Sequence, residues 1–476
     1  MAVTEMGMTR RRLTRSICRA DARLFLVLGF TYLLLVGEGT SSGSFSADAS
    51  RYALVGREMV ERGDWTRLTV DGEPYANKPP LVFWLSAAAY SALGFTEAAA
   101  RLPSRAFGLA SVALLMVLVR KRHGRRAAFW AGLAMATWLE FQHNAQTCRL
   151  DSALAFFTLA SVGVFLRMDR LGYRPVRAAG VGALLGLAVL AKGPPALVGL
   201  VALAAGALLA GRSRLLWRAA PLALGAALLV AGPWYALQLH REGGAWARAL
   251  NDDIGTVTSP CDTPLEALLV YGRRFFLPAA PWVPPAVLGG WLAVRRIRRN
   301  PRRALAEAIL LALAGVLLAA VLLPMNHYAR YLIPSTPAYA WLAGIWLAAF
   351  FRSPRTYRAL ALVLAAVIFI GFPVVHATGA LPTRDKFADI RVMASIIEGE
   401  APGTRVLPTQ PRVVEKSFRE AVRFYFGLSL RPLDPGDPGQ PPFVLVHGAE
   451  AIAEFERTHS LKAVFRSKGN ALYRVR

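Results

Sequence analysis

Acidic residues are scarce in this chain: 30 Asp and Glu stand against 56 Lys and Arg in 476 residues, a net charge of +26. Charge of either sign is sparse at 18%, while 55% of residues are hydrophobic and mean hydropathy is +0.38. Such a composition excludes an ordinary water-soluble globular chain and points to a bilayer. There are only three cysteines, Cys18, Cys148 and Cys261, and buried or unpaired thiols are the expected state for them, although a disulfide is permitted outside the cytoplasm. No internal repeat is evident. The stretch after Thr378 carries no metal or nucleotide motif.

The excess of positive charge is concentrated. Six clusters, Arg10 to Arg23, Arg120 to Arg126, Arg167 to Arg177, Arg212 to Arg218, Arg295 to Arg303 and Arg352 to Arg358, hold 27 of the 56 basic residues. Loops on the cytoplasmic side accumulate Lys and Arg, so all six are assigned inside. Topology then accounts for most of the charge without nucleic acid, and leaves attraction to anionic inner-leaflet lipid.

A helix crossing the bilayer needs about 20 apolar residues, fewer inside a bundle, and about eleven candidates fit between the clusters. They lie near Leu24 to Val36, Ala106 to Val119, Ala127 to Phe141, Ser152 to Leu166, Ala178 to Ala191, Pro194 to Ala210, Ala219 to Leu237, Leu277 to Val294, Ala304 to Leu323, Leu332 to Phe351 and Ala359 to His376. The N-terminus is expected in the cytoplasm and the C-terminus outside. The first span has the flanks of a signal peptide and is read as an uncleaved anchor.

Within an expected membrane domain of residues 1–378, two outer segments, 37–105 and 240–276, are too long for turns. In the first, Tyr52 to Glu61 reads as an amphipathic helix. Pro80 to Leu93 reads as a surface helix with Trp84 and Tyr90 at headgroup depth. Residues 379–476 have the composition of a small α/β domain, with helices over Arg384 to Glu398 and Ser417 to Phe426 and strands over Phe443 to Val446 and Ala471 to Val475.

The densest polar grouping lies in the first outer segment: Asp48, Arg51 and Tyr52, then Arg57-Glu58-Met59, Gly63-Asp64-Trp65, and Asn77-Lys78-Pro79-Pro80-Leu81 with Trp84. Charges this close to an apolar surface are costly unless paired or used. Lys78 precedes two prolines that fix the backbone and remove competing donors, which suits a cation aimed at phosphate. Taken singly these residues also fit a helix cap and a snorkelling lysine.

Together with Arg101-Leu102-Pro103-Ser104, Arg149-Leu150-Asp151, Lys192-Gly193-Pro194, Pro233-Trp234-Tyr235, Pro281-Trp282 and Arg330-Tyr331-Leu332-Ile333-Pro334, these motifs resemble the bacterial aminoarabinose transferases and the related protein O-mannosyltransferase-like enzymes. Those are membrane glycosyltransferases of the GT-C class, and the resemblance covers roughly residues 24 to 351. It implies an α-helical polytopic GT-C fold with juxtamembrane helices, in a bacterial inner membrane. It also implies a sugar donor on a polyprenyl phosphate and a lipid, glycan or protein acceptor on the outer face. A long prenyl chain gains about 0.8 kcal/mol per buried methylene, which keeps such a donor in the bilayer.

By matching position the resemblance makes Asp48 the general base of a single inverting displacement. Lys78 and Tyr331 would receive the departing lipid phosphate, and Asp151 would orient a substrate. Arg51 and Tyr52 would brace Asp48 or bind substrate. Lys192, His327 and Arg330 are further candidates for the phosphate region. Two departures stand out. Asn77 occupies a position that is typically acidic in the aminoarabinose enzymes. Asn251-Asp252-Asp253 occupies the place of a segment that supplies a phosphate-binding arginine, a role Arg273 and Arg274 are candidates to fill. A divalent cation held by Asp48, Asp151 and Asp253 stays an open expectation, because spacing does not show that carboxylates converge.

Two other function classes remain. A transporter places charge at mid-membrane and often has repeated halves; here the spans are nearly free of charge and the acids cluster outside. A catalytically silent scaffold for lipid-linked sugar is consistent with the missing arginine.

Overall fold

The computed structural model describes residues 47–258, 263–321 and 328–351. Beyond these it describes 388–400, 406–410, 419–420, 422–424, 429–432, 443–447, 449–458, 461, 463–466 and 470–474. Helices dominate. The first described, α1 (Ala47–Arg62), starts five residues before the amphipathic stretch seen in the sequence. A short hairpin, β1 (Thr69–Val70) with β2 (Glu73–Pro74), leads to α2 (Leu81–Leu93).

Helix α3 (Glu97–Ala136) runs for 40 residues and breaks at Gly124, where φ is +85°. At 1.5 Å per residue a straight helix of this length would reach about 60 Å, twice the hydrocarbon thickness. Glycine alone adopts such a φ cheaply, and the basic run Arg120 to Arg126 surrounds the break. The two expected spans here are therefore two arms of one chain segment. The second arm ends at Ala136, short of Phe141, and a separate helix α4 (Leu139–Gln146) follows.

Then come α5 (Asp151–Leu171), α6 (Pro175–Lys192), α7 (Leu197–Leu209) and α8 (Ser213–Thr258, broken at Gly243). After α9 (Pro264–Tyr271) and a π-helical turn, Gly272–Phe276, the chain continues into α10 (Val283–Arg299), α11 (Leu305–Val321), a 3-10 segment Ala329–Ser335, and α12 (Thr336–Phe350). α6 packs on α8, α3 on α12, and α7 on α11.

Among the described residues, four helices are long and apolar enough to cross a membrane, or five if the bent pair Leu265–Ala279 and Val283–Arg299 is one span. The expected spans at 24–36 and 359–376 lie outside the described residues. The outward surface is apolar: Leu228 and Leu229 on α8 are more than 70% exposed, which suits lipid and not water. One apolar core is built around Trp130, Trp138 and Trp341, and a second joins α1 and α2 to α5 and α6.

In the first outer segment Tyr90 is buried in protein and not exposed at a surface, and its hydroxyl donates to the Ala53 carbonyl at 3.2 Å. Trp84 donates to the Trp65 carbonyl and packs edge-on against Trp234. Tyr90 thus ties α2 to α1, and Trp84 ties α2 to α8. Cys148 is buried with a free thiol, and Cys18 and Cys261 lie outside the described residues.

In the C-terminal part, five strands, β3 (Val406–Gln410), β4 (Ser429–Pro432), β5 (Phe443–His447), β6 (Ala463–Arg466) and β7 (Asn470–Arg474), form one sheet in the order β4-β3-β5-β7-β6. β5 alternates its contacts. Phe443 and Leu445 pack with Met393 and Ile397 of α13 (Ala388–Glu400), while Val444 and Val446 pack with Ile452 and Phe455 of α14 (Ala449–Thr458). A strand buried on both faces reads as a continuous apolar run.

Candidate active site

Several helix ends meet at one end of the bundle and bring charge together. Asp48 lies in the first turn of α1 and Asp151 is the first residue of α5, positions where the helix dipole favours a carboxylate. Lys192 closes α6, where the dipole favours a cation.

Asp48 faces three guanidinium groups. Arg330 lies 3.3 Å away, Arg149 3.4 Å and Arg51 3.9 Å. The Asp48 side chain is 26% exposed, so the cluster is open to a ligand. Asp151 is nearly buried and forms an ion pair with Lys192, which is 8% exposed. The Lys192 ammonium also sits 5.5 Å from the centre of the Tyr331 ring, and Arg330 stacks 4.0 Å from that of Tyr328.

Two sequence motifs acquire a mechanical role. Ser104, from the Arg-Leu-Pro-Ser run, both donates to the carbonyl of Arg149 at 2.7 Å and accepts from its N–H at 3.0 Å, which fixes the turn carrying Arg149. Gly193, at φ +82°, lets the chain after Lys192 pass beside Pro79; a Cβ there would lie 3.8 Å from the proline ring. The two lysine-containing motifs are thereby adjacent, and Lys78 is near enough to repel the Lys192 ammonium. Lys78 itself donates to the Asn77 carbonyl at 2.9 Å.

Next to Asp48's partners lies a cavity of about 450 Å³ lined by Arg149, Arg273, Arg274 and Arg330 together with Glu140 and His143. Arg273 and Arg274, in the π-helical turn, therefore stand with Arg149 and Arg330, and four guanidinium groups against one carboxylate suit a phosphate. Asp48 and Lys78 do not line this cavity. Glu140 has its pKa raised by burial, opposed by Arg149 and by a hydrogen bond from Asn144. The His143 ring is open to the cavity, yet the surrounding protein lowers its pKa, chiefly by burial and then through Arg149 and Arg101.

The remaining candidates divide. Arg51 reaches away from the cavity to the buried Glu420 at 2.7 Å, and Arg57 donates to the Phe424 carbonyl, so Glu420 and Phe424 are fastened to α1 beside the site. Tyr52 is buried against Phe83, and burial with the Asp48 charge raises its pKa. Its position near Asp48, Asp151, Arg330 and Arg149 makes it a wall of the cluster. His327 lies outside the described residues, and Asp252 and Asp253 are described only in their backbone, within α8.

A divalent cation does not fit the carboxylates that are described. Asp48 is surrounded by arginines and Asp151 is neutralised by Lys192. Among the described residues no three His, Cys, Asp or Glu side chains converge.

The sequence marked Arg149 only as part of the Arg149-Leu150-Asp151 motif, without a role, and did not single out Glu140 or His143. The available signal was the polar face of α4, on which Glu140, His143 and Asn144 fall three and four residues apart.

A family profile described as dolichyl-phosphate-mannose-protein mannosyltransferase matches residues 77–236. The undecaprenyl phosphate-alpha-4-amino-4-deoxy-L-arabinose arabinosyl transferase of Aeromonas salmonicida is 31% identical over 209 residues, covering 42% of this chain and 38% of that one. The protein of the same name from Aeromonas hydrophila is 31% identical over 208 residues, again 42% of this chain and 38% of its own length. The matched stretch thus spans under two-fifths of these relatives. Among solved structures, ArnT from Cupriavidus metallidurans bound to undecaprenyl phosphate superposes with a TM-score of 0.73 at 20% identity, over 95% of this chain and 98% of that one. The oligosaccharyltransferase AglB from Archaeoglobus fulgidus, in complex with an inhibitory peptide and a dolichol-phosphate, gives 0.54 at 13% identity, over 91% of this chain and 69% of that one. The chain has the GT-C fold and resembles the aminoarabinose transferases, as its motifs imply.

Proposed function

We propose that this protein transfers a sugar from a polyprenyl-phosphate donor to an acceptor at the outer face of a bacterial inner membrane, with inversion at the anomeric carbon. The observation that carries the reading is the convergence of Asp48 on Arg330 and Arg149 beside an arginine-lined cavity. The solved ArnT that shares this fold holds undecaprenyl phosphate, and a lipid-linked phosphate is the kind of group four arginines suit.

In this scheme the lipid tail stays in the bilayer and only the phosphosugar head enters the charged cluster. The Asp48 carboxylate takes the proton of the acceptor hydroxyl or amine as that atom attacks the anomeric carbon. The bond from the anomeric carbon to the phosphate oxygen breaks, and polyprenyl phosphate leaves with its charge stabilised by Arg330, Arg149 and Lys78. Phosphate is a good leaving group, so no acid partner is required. The Asp151–Lys192 pair fixes the floor of the site and keeps the Lys192 ammonium in place. Residues 379–476 form an outer domain whose Glu420 and Phe424 brace α1 through Arg51 and Arg57.

The test uses purified protein, a prenyl-phosphate sugar and a panel of acceptors. Asp48→Asn is expected to lose transfer while retaining donor binding. Unaltered transfer by this variant would remove Asp48 from the role of base, and absence of transfer by the unsubstituted protein across donors would favour a lipid-sugar scaffold.

A further inference from the structure

The bundle has a second basic cavity, at the end opposite Asp48. α10 begins just after Pro278, which lines the first cavity, and ends at Arg299, which lines the second. Seventeen residues of helix separate the two by about 25 Å at 1.5 Å each. The second cavity, of about 340 Å³, is bordered by Arg122, Arg296, Arg299 and Arg303 with His123 and Glu307.

Its floor is a built network. The Trp341 indole N–H donates to His123 Nδ1 at 3.0 Å, so the other ring nitrogen, Nε2, carries the proton and faces Glu307 Oε1 at 3.1 Å. Arg296 donates to the same carboxylate oxygen at 2.9 Å. Glu307 is 3% exposed, and its second oxygen, Oε2, is buried without a hydrogen-bond partner among the described residues. A buried acceptor of this kind calls for a donor. Around the mouth, the side chains of Arg122, Arg299 and Arg303 make no ion pair or hydrogen bond among the described residues, and Arg299 and Arg303 are exposed.

We propose that this cavity binds the headgroup of an anionic phospholipid whose phosphodiester is followed by a hydroxyl, as in a glycerol headgroup. The phosphodiester oxygens meet Arg299, Arg303 and Arg122, and the hydroxyl donates to Glu307 Oε2. The arginines lie in two of the basic clusters that topology assigns to the cytoplasmic side, where anionic lipid is available, and basic pockets between membrane helices on that side recognise such headgroups. The proposal does not depend on the sugar-transfer reading.

The experiment measures lipid retention by the full chain. Delipidated protein in a neutral detergent is titrated with phosphatidylglycerol, phosphatidylcholine, inorganic phosphate or glycerol 3-phosphate, and bound lipid is counted by native mass spectrometry. Phosphatidylglycerol should bind with clear preference over phosphatidylcholine. The double variant Arg299→Gln/Arg303→Gln should weaken it by roughly ten- to thirtyfold, at about one kcal/mol per basic side chain near a lipid surface. Arg174→Gln/Arg214→Gln, exposed in other basic clusters away from the cavity, should leave the preference intact. Equal losses in both double variants, or no preference in the unsubstituted protein, would overturn the site as diffuse charge. Competition by inorganic phosphate or glycerol 3-phosphate as strong as that by the lipid would overturn the assignment to a lipid.

Discussion

Arg330 Nη2 stands 3.3 Å from Asp48 Oδ2, joining the 3-10 segment before α12 to the first turn of α1. Burial works against the Arg330 charge, and the carboxylates of Asp48 and Asp151 more than offset it, so its pKa is raised. A guanidinium held in this way is pre-aligned for a second oxyanion. Replacing Arg330 by Gln should weaken binding of undecaprenyl phosphate about ten- to a hundredfold, the worth of one hydrogen bond to a charged group. Lys at this position should recover only part of that loss, because it lacks the planar fork. Equilibrium binding of radiolabelled lipid phosphate checks both.

The ion pair of Lys192 with Asp151 predicts a stability cycle. Lys192→Met leaves a buried carboxylate without its partner and should cost about 3–5 kcal/mol. Adding Asp151→Leu to Lys192→Met should restore much of that stability while leaving transfer abolished. Thermal unfolding in detergent reads the stability, and a double variant as unstable as the two single losses added together would argue against a pairwise origin.

Helix packing makes a separate prediction at neighbouring glycines. A Cβ at Gly289 would collide with the Leu342 carbonyl on α12, whereas one at Gly290 would make an ordinary contact with Leu311. Gly289→Ala should therefore destabilise by about 1–3 kcal/mol, the cost of overpacking. Gly290→Ala should be neutral or stabilising by about 0.5–1 kcal/mol, because alanine is the better helix former. The two melting temperatures, compared in one detergent, decide the point.

Glu140 gives a pH dependence of definite sign. Its pKa is raised by burial, so the folded state favours the protonated carboxyl more than the unfolded chain does. The resulting stability is fully present below the ordinary value of 4.5 and is lost as pH rises through the folded value. Glu140→Gln should accordingly raise the melting temperature at pH 8 relative to the unsubstituted protein and change it little at pH 4. A gain of equal size at both pH values would assign the effect to something other than ionisation.

Much of the candidate cluster was legible because the bilayer confines charge. Spans that tolerate almost no ionisable residues push polar groups into the turns, so Asp48, Asp151, Lys192 and Arg330 stood out once the basic clusters had fixed the alternation of turns. The pairing of Arg149 with Asp48 escaped, although Arg149 lay in a recognised motif, because the contact spans 101 residues and leaves no local pattern. Glu140 and His143 were hidden by an apolar stretch, Ala127 to Phe141, that reads as one span although α3 stops at Ala136. The link from Arg51 to Glu420 was equally invisible: a helix face shows that it needs a partner but not which distant carboxylate supplies it. The buried hydrogen bond of Tyr90 was hidden for the converse reason, since an aromatic with a polar tip suits an interface and a buried hydrogen bond equally well.

The central claim is that the cluster around Asp48 receives the head of a polyprenyl-phosphate donor. Determining the structure of the protein saturated with undecaprenyl phosphate tests it most directly. The account predicts the phosphate between Arg330 and Arg149, at about 2.7–2.9 Å from their guanidinium nitrogens, with the prenyl chain leading into the bilayer. A phosphate seated elsewhere on the bundle, with the Asp48 cluster unchanged and unliganded, would contradict it.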